Sequence, residues 1–149
     1  MDNQSESQWR LECEMKCVIV IDASLSTGLI ANTAAVLSLT LGEKIDGIIG
    51  PDVLDRSGNV HIGITTIPIP ILKGDLATIR ELRNKVELEN FSDVLVVDFS
   101  NVAQITNSYD GYTKKISKVD CHELDYLGIA LYGEEKKVNK LTGSLGLLR

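Results

Sequence analysis

Residues 16–42 read KCVIVIDASLSTGLIANTAAVLSLTLG. The first part, CVIVI at 17–21, is an unbroken apolar run rich in β-branched residues. That is the pattern of a strand buried on both faces, in a sheet with helices on each side. Asp22 ends the run. Ser24, Ser26 and Thr27 can each cap a helix, and Gly28 permits close backbone approach. From Leu29 the chain turns Ala- and Leu-rich, with Ile30, Ala34, Leu37 and Leu41 sharing one helical face. Gly42 stands where a helix C-terminal glycine is expected. Strand, polar turn and helix thus follow one another. The turn sets free backbone N–H groups and the positive end of a helix beside the carboxyl end of a central strand, where ligands bind in α/β folds.

Working outward, residues 44–50 read as a connection with Ile45, Ile48 and Ile49 tucked under it. DRSGN at 55–59 is a turn signal between two apolar pieces and predicts a small hairpin, whose second strand runs over 60–67. Pro68 and Pro70 close that strand, which places this end at a sheet edge or beyond the ladder. Asp75 caps a helix from Leu76, with Leu76, Ile79, Leu82, Val86 and Phe91 on its buried side. VLVV at 94–97 is a second fully apolar run, ended by Asp98. It reads as a central strand parallel to 17–21. A helical segment with a break near Gly111 follows to about Val119, then a strand over 124–131 with Leu127, Ile129 and Leu131 on one face. A short helix over 134–141 stops at Gly143, and the apolar ending packs on the body. Strands and helices alternate, so the expected class is α/β: a three-layer α/β/α arrangement with a mixed, mainly parallel central sheet.

The 149 residues suffice for one domain. We read 1–14, polar and acidic with no signal-peptide pattern, as a flexible leader that Trp9 and Leu11 can dock, and 15–149 as the folded domain. No apolar run is long enough to span a bilayer. Cys13, Cys17 and Cys121 make an odd count, which fits reduced thiols and a cytoplasmic location. The net charge of −6 disfavours extended binding to a phosphate backbone, and so argues against tRNA as a partner. Lys114, Lys115, Lys118, Lys136, Lys137 and Lys140 read as solvated helix surface.

Asp22 and Asp98 both end apolar strands. If those strands are parallel neighbours, the two carboxylates face one crevice and can supply an acid or base; the alternative is that each caps the turn that follows. Ser26, Thr27, Gly28, Asn32 and Asp98 are the ligand-binding candidates, the hydroxyls either joining backbone N–H groups around an anion or acting simply as caps. Tyr109 and Tyr112 pack or border the crevice. Cys13, Cys17, Cys121 and His122 do not make a convincing zinc site, because 17 lies in a buried strand. His61 reads as a surface or hydrogen-bonded histidine. No nucleotide-binding glycine motif is present, and no cofactor or metal is expected.

Two stretches, KCVIVIDASLSTGLIANTAA at 16–35 and GIALYG…VNKLTGSLGLL at 128–148, resemble the first and last elements of the type 2 peptidyl-tRNA hydrolases. The likeness is closer to a sister group known only as a domain of unknown function. Its pattern of GPDV, DxxGxxHxGIT, IPIPIL, VVDFSxxAQ and LTGSLxLLR appears here at 50–53, 55–65, 67–72, 96–104 and 141–149. The resemblance implies a mixed sheet flanked by helices, a homodimer and a hydrolase activity that frees peptides from tRNA by cleaving an ester. The hydrolases carry a lysine in the first glycine loop; Leu29 and Ile30 stand there in this chain. Asn32 lies near the place of a family glutamine. Thr113, after Gly111, matches a threonine near the hydrolase site, and so joins Asp22, Asp98 and Asn32 as a catalytic candidate. We therefore expect a hydrolase-like protein that binds a small polar or anionic ligand at the first strand–helix turn. An active ester hydrolase and a dimeric, non-catalytic scaffold are the alternatives.

Overall fold

A computed structural model describes residues 14–88 and 91–149. Trp9, Leu11 and Cys13, with nearly all of the expected leader, lie outside the described residues. The elements are β1 (Met15–Asp22), α1 (Thr27–Lys44), β2 (Val53–Leu54), β3 (Val60–His61), β4 (Ile71–Gly74), α2 (Leu76–Leu88), β5 (Leu95–Ser100), α3 (Asn101–Ile105), α4 (Tyr109–Ile116), a 3₁₀ turn (Cys121–Glu123), β6 (Tyr126–Glu134) and α5 (Glu135–Thr142).

Four strands form the main sheet in the order β4-β1-β6-β5. β1 pairs parallel with β4, Ile19 facing Ile71, and antiparallel with β6, Val20 facing Ile129. β5 pairs antiparallel with β6, Asp98 facing Ile129. The sheet is mixed, as expected, but two of its three pairings are antiparallel, which corrects the expectation of a mainly parallel sheet. β1 and β5 do run the same way. They are not neighbours, and β5 is an edge strand with Leu95, Val96 and Val97 only half-buried.

The lengths of the connections explain this. The 18 residues of α1 extend about 27 Å, enough to carry the chain back along the sheet and allow a parallel strand. The eight residues of α4 reach only about 12 Å, short of the roughly 20 Å of a six-residue strand. Residues 101–125 therefore begin and end at the same end of the sheet. Asn101 N–H donates to the Asp125 carbonyl at 2.8 Å, and β6 returns in the opposite direction.

Two apolar clusters cover the two faces. On one, Val18, Val20, Ile129 and Leu131 meet Ile79, Leu82 and Val86 of α2 and Val138 and Leu141 of α5. On the other, Cys17, Ile19, Ile21 and Ala130 meet Leu37 and Leu41 of α1, with Ile45 and Ile48 beyond them. Three layers result. α1 approaches the sheet closely at Gly128, where a Cβ would stand 2.6 Å from Thr33 Cγ2. Leu127 joins the α1 side rather than the face of Ile129, because the β5–β6 register slips between Phe99 and Ser100. α1 runs through Gly42, and its first left-handed glycine is Gly47, at φ 78°.

Sequence reasoning passed over β4, whose pattern IPIPILKG is broken by prolines. The strand starts just after Pro70, where no ladder donor is missing, and Ile19 N–H bonds the Pro70 carbonyl at 3.0 Å. The C-terminal residues lie along its outer edge. Leu148 N–H donates to the Ile71 carbonyl and Lys73 N–H to the Gly146 carbonyl, at 2.9 and 2.8 Å.

Residues 48–66 leave the body as an arm. Thr66 N–H bonds the Ile48 carbonyl at 2.7 Å, Gly50 N–H bonds the Ile64 carbonyl at 2.9 Å, and β2 pairs with β3 towards the tip. Asp55 organises the turn, accepting from Ser57 N–H, Asn59 N–H and the Asn59 amide, with His61 Nε2 3.0 Å away. The His61 contact, and then the Asn59 N–H, hold the Asp55 carboxyl below its ordinary range. The hairpin is where it was expected, but the ladder beyond His61 is reduced to the single Ile49–Thr65 bridge. At Gly63 the two limbs touch so closely that a Cβ would overlap the Gly50 carbonyl.

Candidate functional site

Asp22 is buried at the end of β1 and accepts from Ser24 N–H at 2.9 Å and Ser24 Oγ at 2.7 Å. It thus caps the turn that follows. It also lines a crevice of about 540 Å³ at the carboxyl ends of the parallel pair β1 and β4, shared with Ser24, Lys73 and Asp75. Asp75 caps α2 through Thr78 N–H at 2.7 Å, and chiefly that bond holds its carboxyl below the ordinary range.

Asp98 lies elsewhere, and inside β5 rather than at its end, because the strand continues through Phe99 and Ser100. β6 separates its strand from β1, so the two carboxylates stand roughly 10 Å apart across the sheet alone. Neighbouring parallel strands would have joined them in one crevice; the order β4-β1-β6-β5 does not. Asp98 instead points to the α2 side of the outer strand. Arg83 Nε donates to its Oδ2 at 3.3 Å, and Arg83 Nη1 donates to Glu87 at 2.8 Å. Burial works against the guanidinium charge, but Glu87 and Asp98 outweigh it and hold Arg83 above its ordinary value. Asp98 Oδ1 has no hydrogen-bond partner among the described residues.

Around Asp98 opens a cleft of about 440 Å³, wrapped over the free edge of β5. α1 contributes Val36 and Thr40, β5 contributes Asp98 and Phe99, and α3 contributes Ala103. The loop and first turn of α4 add Thr106, Asn107, Ser108, Tyr109 and Tyr112. Ser108 caps α4 by accepting from Gly111 N–H at 3.0 Å, which places the helix break at 106–108 rather than at Gly111. The two tyrosine rings meet edge to face, centroids 5.7 Å apart. Burial first, then the Asp98 charge, then Tyr109, hold the Tyr112 hydroxyl above the ordinary tyrosine value. The lining therefore combines a carboxylate, hydroxyls, an amide and aromatic faces, with no Lys or Arg among the described lining residues.

Ser26, Thr27, Gly28, Asn32 and Thr113 are not among the residues that line this cleft. Ser26 caps α1, its Oγ accepting from Leu29 N–H at 3.4 Å; Thr27 and Gly28 are exposed in the first turn. Asn32 is exposed on α1, one turn before Val36 and two before Thr40, on the stripe that forms the cleft wall. Thr113 is exposed, and its Oγ1 donates to the Tyr109 carbonyl at 3.0 Å. Sequence reasoning missed Arg83, Thr40 and Ser108. The i,i+4 spacing of Arg83 and Glu87 was a legible signal for one of them. Cys17 is buried and Cys121 exposed, while Asp120, His122 and Glu123 form an exposed cluster of donor atoms within 4.8 Å of one another.

Residues 15–149 match the family described as Protein of unknown function (DUF2000). The chain belongs to the DUF2000 family. A solved structure of similar shape is the protein of unknown function Atu0240 from Agrobacterium tumefaciens strain C58, at 20% identity and a TM-score of 0.80, over 90% of this DUF2000 chain and 97% of that one. At that identity the likeness shows the fold alone. No curated protein matches. Among the described residues of this DUF2000 chain, no helix is long and apolar enough to cross a membrane.

Proposed function

We propose that this DUF2000 chain binds a small polar ligand in the cleft at the free edge of β5, with Asp98 as its charged anchor. What carries the reading is the free Oδ1 of Asp98. This half-buried carboxylate accepts from Arg83 on Oδ2, has no hydrogen bond on Oδ1 among the described residues, and lines a cleft together with Tyr109, Tyr112 and Phe99. Such a group accepts a charge-assisted hydrogen bond. The absence of Lys or Arg among the described lining residues disfavours an anion and favours a ligand bearing hydroxyl or amino donors and an apolar or planar face. Asn32, one turn along the α1 wall, is placed to serve as a rim contact.

Ligand retention rather than ester cleavage is the expected activity. Leu29 and Ile30 occupy the first helical turn where the resembling hydrolases carry lysine, and losing one such electrostatic donor costs about 10²–10³ in rate. That likeness rests on sequence motifs alone. Native mass spectrometry of the purified protein, followed by denaturation, should release a small polar compound from wild type and far less from Asp98→Ala, with Asn32→Ala intermediate. Equal retention by Asp98→Ala, or efficient turnover of a peptidyl-tRNA analogue, would overturn the reading.

A further inference from the structure

The arm at residues 48–66 is the least explained part of the molecule. Its limbs are held to each other by Thr66–Ile48, Gly50–Ile64 and β2–β3, and its turn is locked by Asp55. Yet its apolar side chains face outward: Leu54 is 70% exposed, Ile62 82% and Ile64 79%, with Ile49, Val53 and Val60 also more than half exposed or at half. A two-stranded ribbon with both faces wet is marginal in water. No other described residue covers it.

We infer that this arm is the interface through which two copies of the chain associate. The apolar side chains of the arm, with Leu39 of α1 beside its base, present several hundred Å² of surface, on the order of the ~800 Å² each partner gives to a standard interface. Charge on the arm does not encode a different partner. Asp52 is bound to Gly63 N–H at 2.9 Å and Asp55 to its own turn and His61, while Arg56 stands at the tip. What is left to recognise is shape and apolar area, and interfaces between identical copies are the most apolar class. A two-fold contact lays each arm against its equivalent, so every exposed isoleucine is covered by the same patch that it covers. The groove of about 740 Å³ between Pro51, Val53 and Ile64 gives the partner's side chains a place to enter.

Sedimentation velocity on the full chain tests this. Wild type should sediment as a dimer at micromolar concentration. The double variant Ile62→Asp/Ile64→Asp should sediment as a folded monomer, its dimer Kd raised at least about 100-fold. Leu88→Asp, on an equally exposed leucine at the end of α2, should remain dimeric. Far-UV circular dichroism checks that the variants are folded. A monomeric wild type overturns the inference, as does a dimer that Ile62→Asp/Ile64→Asp leaves intact. A wild-type monomer that dimerises only when residues 1–13 are removed also overturns it, and names that segment as the cover.

Discussion

Arg83 Nε and Asp98 Oδ2 lie 3.3 Å apart, fastening α2 to the outermost strand of the sheet. Among the described residues β5 has a neighbour on one side only, and this contact ties the strand to the helix over its face. It leaves the second carboxylate oxygen without a hydrogen bond among the described residues, on a side chain that lines the cleft. Both side chains are about one-quarter exposed, 27% and 25%. In such a partly wet setting the pair contributes at most about 1 kcal/mol to stability. Its larger effect is on what surrounds it.

Tyr112 feels the Asp98 charge, second only to burial. Asp98→Asn should therefore bring its hydroxyl part of the way back towards the ordinary tyrosine value. Ultraviolet titration of the tyrosinate band, with Tyr112→Phe to assign the step, measures this; superimposable curves for wild type and Asp98→Asn would separate the two groups. Folded Tyr112, Tyr126 and Tyr132 all hold protons that the unfolded chain releases above about pH 10. Stability should accordingly be intact below that value and fall as pH rises through the folded tyrosine range.

Gly128 sets the distance of α1 from the sheet. A methyl there meets Thr33 Cγ2 at 2.6 Å and Leu37 Cδ1 at 3.1 Å, both on fully buried side chains. Gly128→Ala should cost about 1–3 kcal/mol by urea denaturation. An unchanged midpoint would mean that α1 lifts freely.

The C-terminal residues cover the outer edge of β4, and Leu145 and Leu148 pack on opposite core clusters. Removing residues 145–149 should lower stability by about 1–3 kcal/mol and raise light scattering on heating, because the edge of β4 becomes free to pair with other chains. A truncated protein as stable and as soluble as wild type would show the contact to be incidental.

The two described thiols should differ sharply. Burial pushes the Cys17 thiol up to about 11, while Cys121 is exposed. In a Cys13→Ser background at pH 8, a thiol reagent should label one cysteine in the native protein and two in urea. Rapid labelling of both in the native state would show β1 opening from the sheet.

Local patterns were legible in the sequence where burial is two-sided. The unbroken CVIVI run gave β1, and Ile79, Leu82 and Val86 gave the buried stripe of α2. Strand order was not legible. The apolar run ending at Asp98 looks like a central strand, but its side chains are half-covered by helices and by its own edge position, and nothing in its composition reveals which neighbour it takes. β4 was hidden because its four residues follow two prolines. The site was half legible. Asp98 stands out as a carboxylate closing an apolar run, and Tyr109 and Tyr112 as a spaced aromatic pair. Thr40 sits mid-helix, and only the packing of α1 against the free edge of β5 makes it part of a wall.

β6 is the last of the described strands in chain order, and it is the one that pairs with both β1 and β5. Ile19 meets Ala130 across more than a hundred residues of intervening chain. Until that strand exists, β5 has no ladder at all and β1 has one side open. Contacts of such long separation make for slow folding, and unpaired edges invite wrong partners while they wait. A nascent chain ending at residue 125 should accordingly accumulate as aggregate or as a protease substrate, never as a smaller native domain. The stability of β1 and β5 thus hangs on a segment that follows both by many residues, which makes the sheet a single cooperative unit.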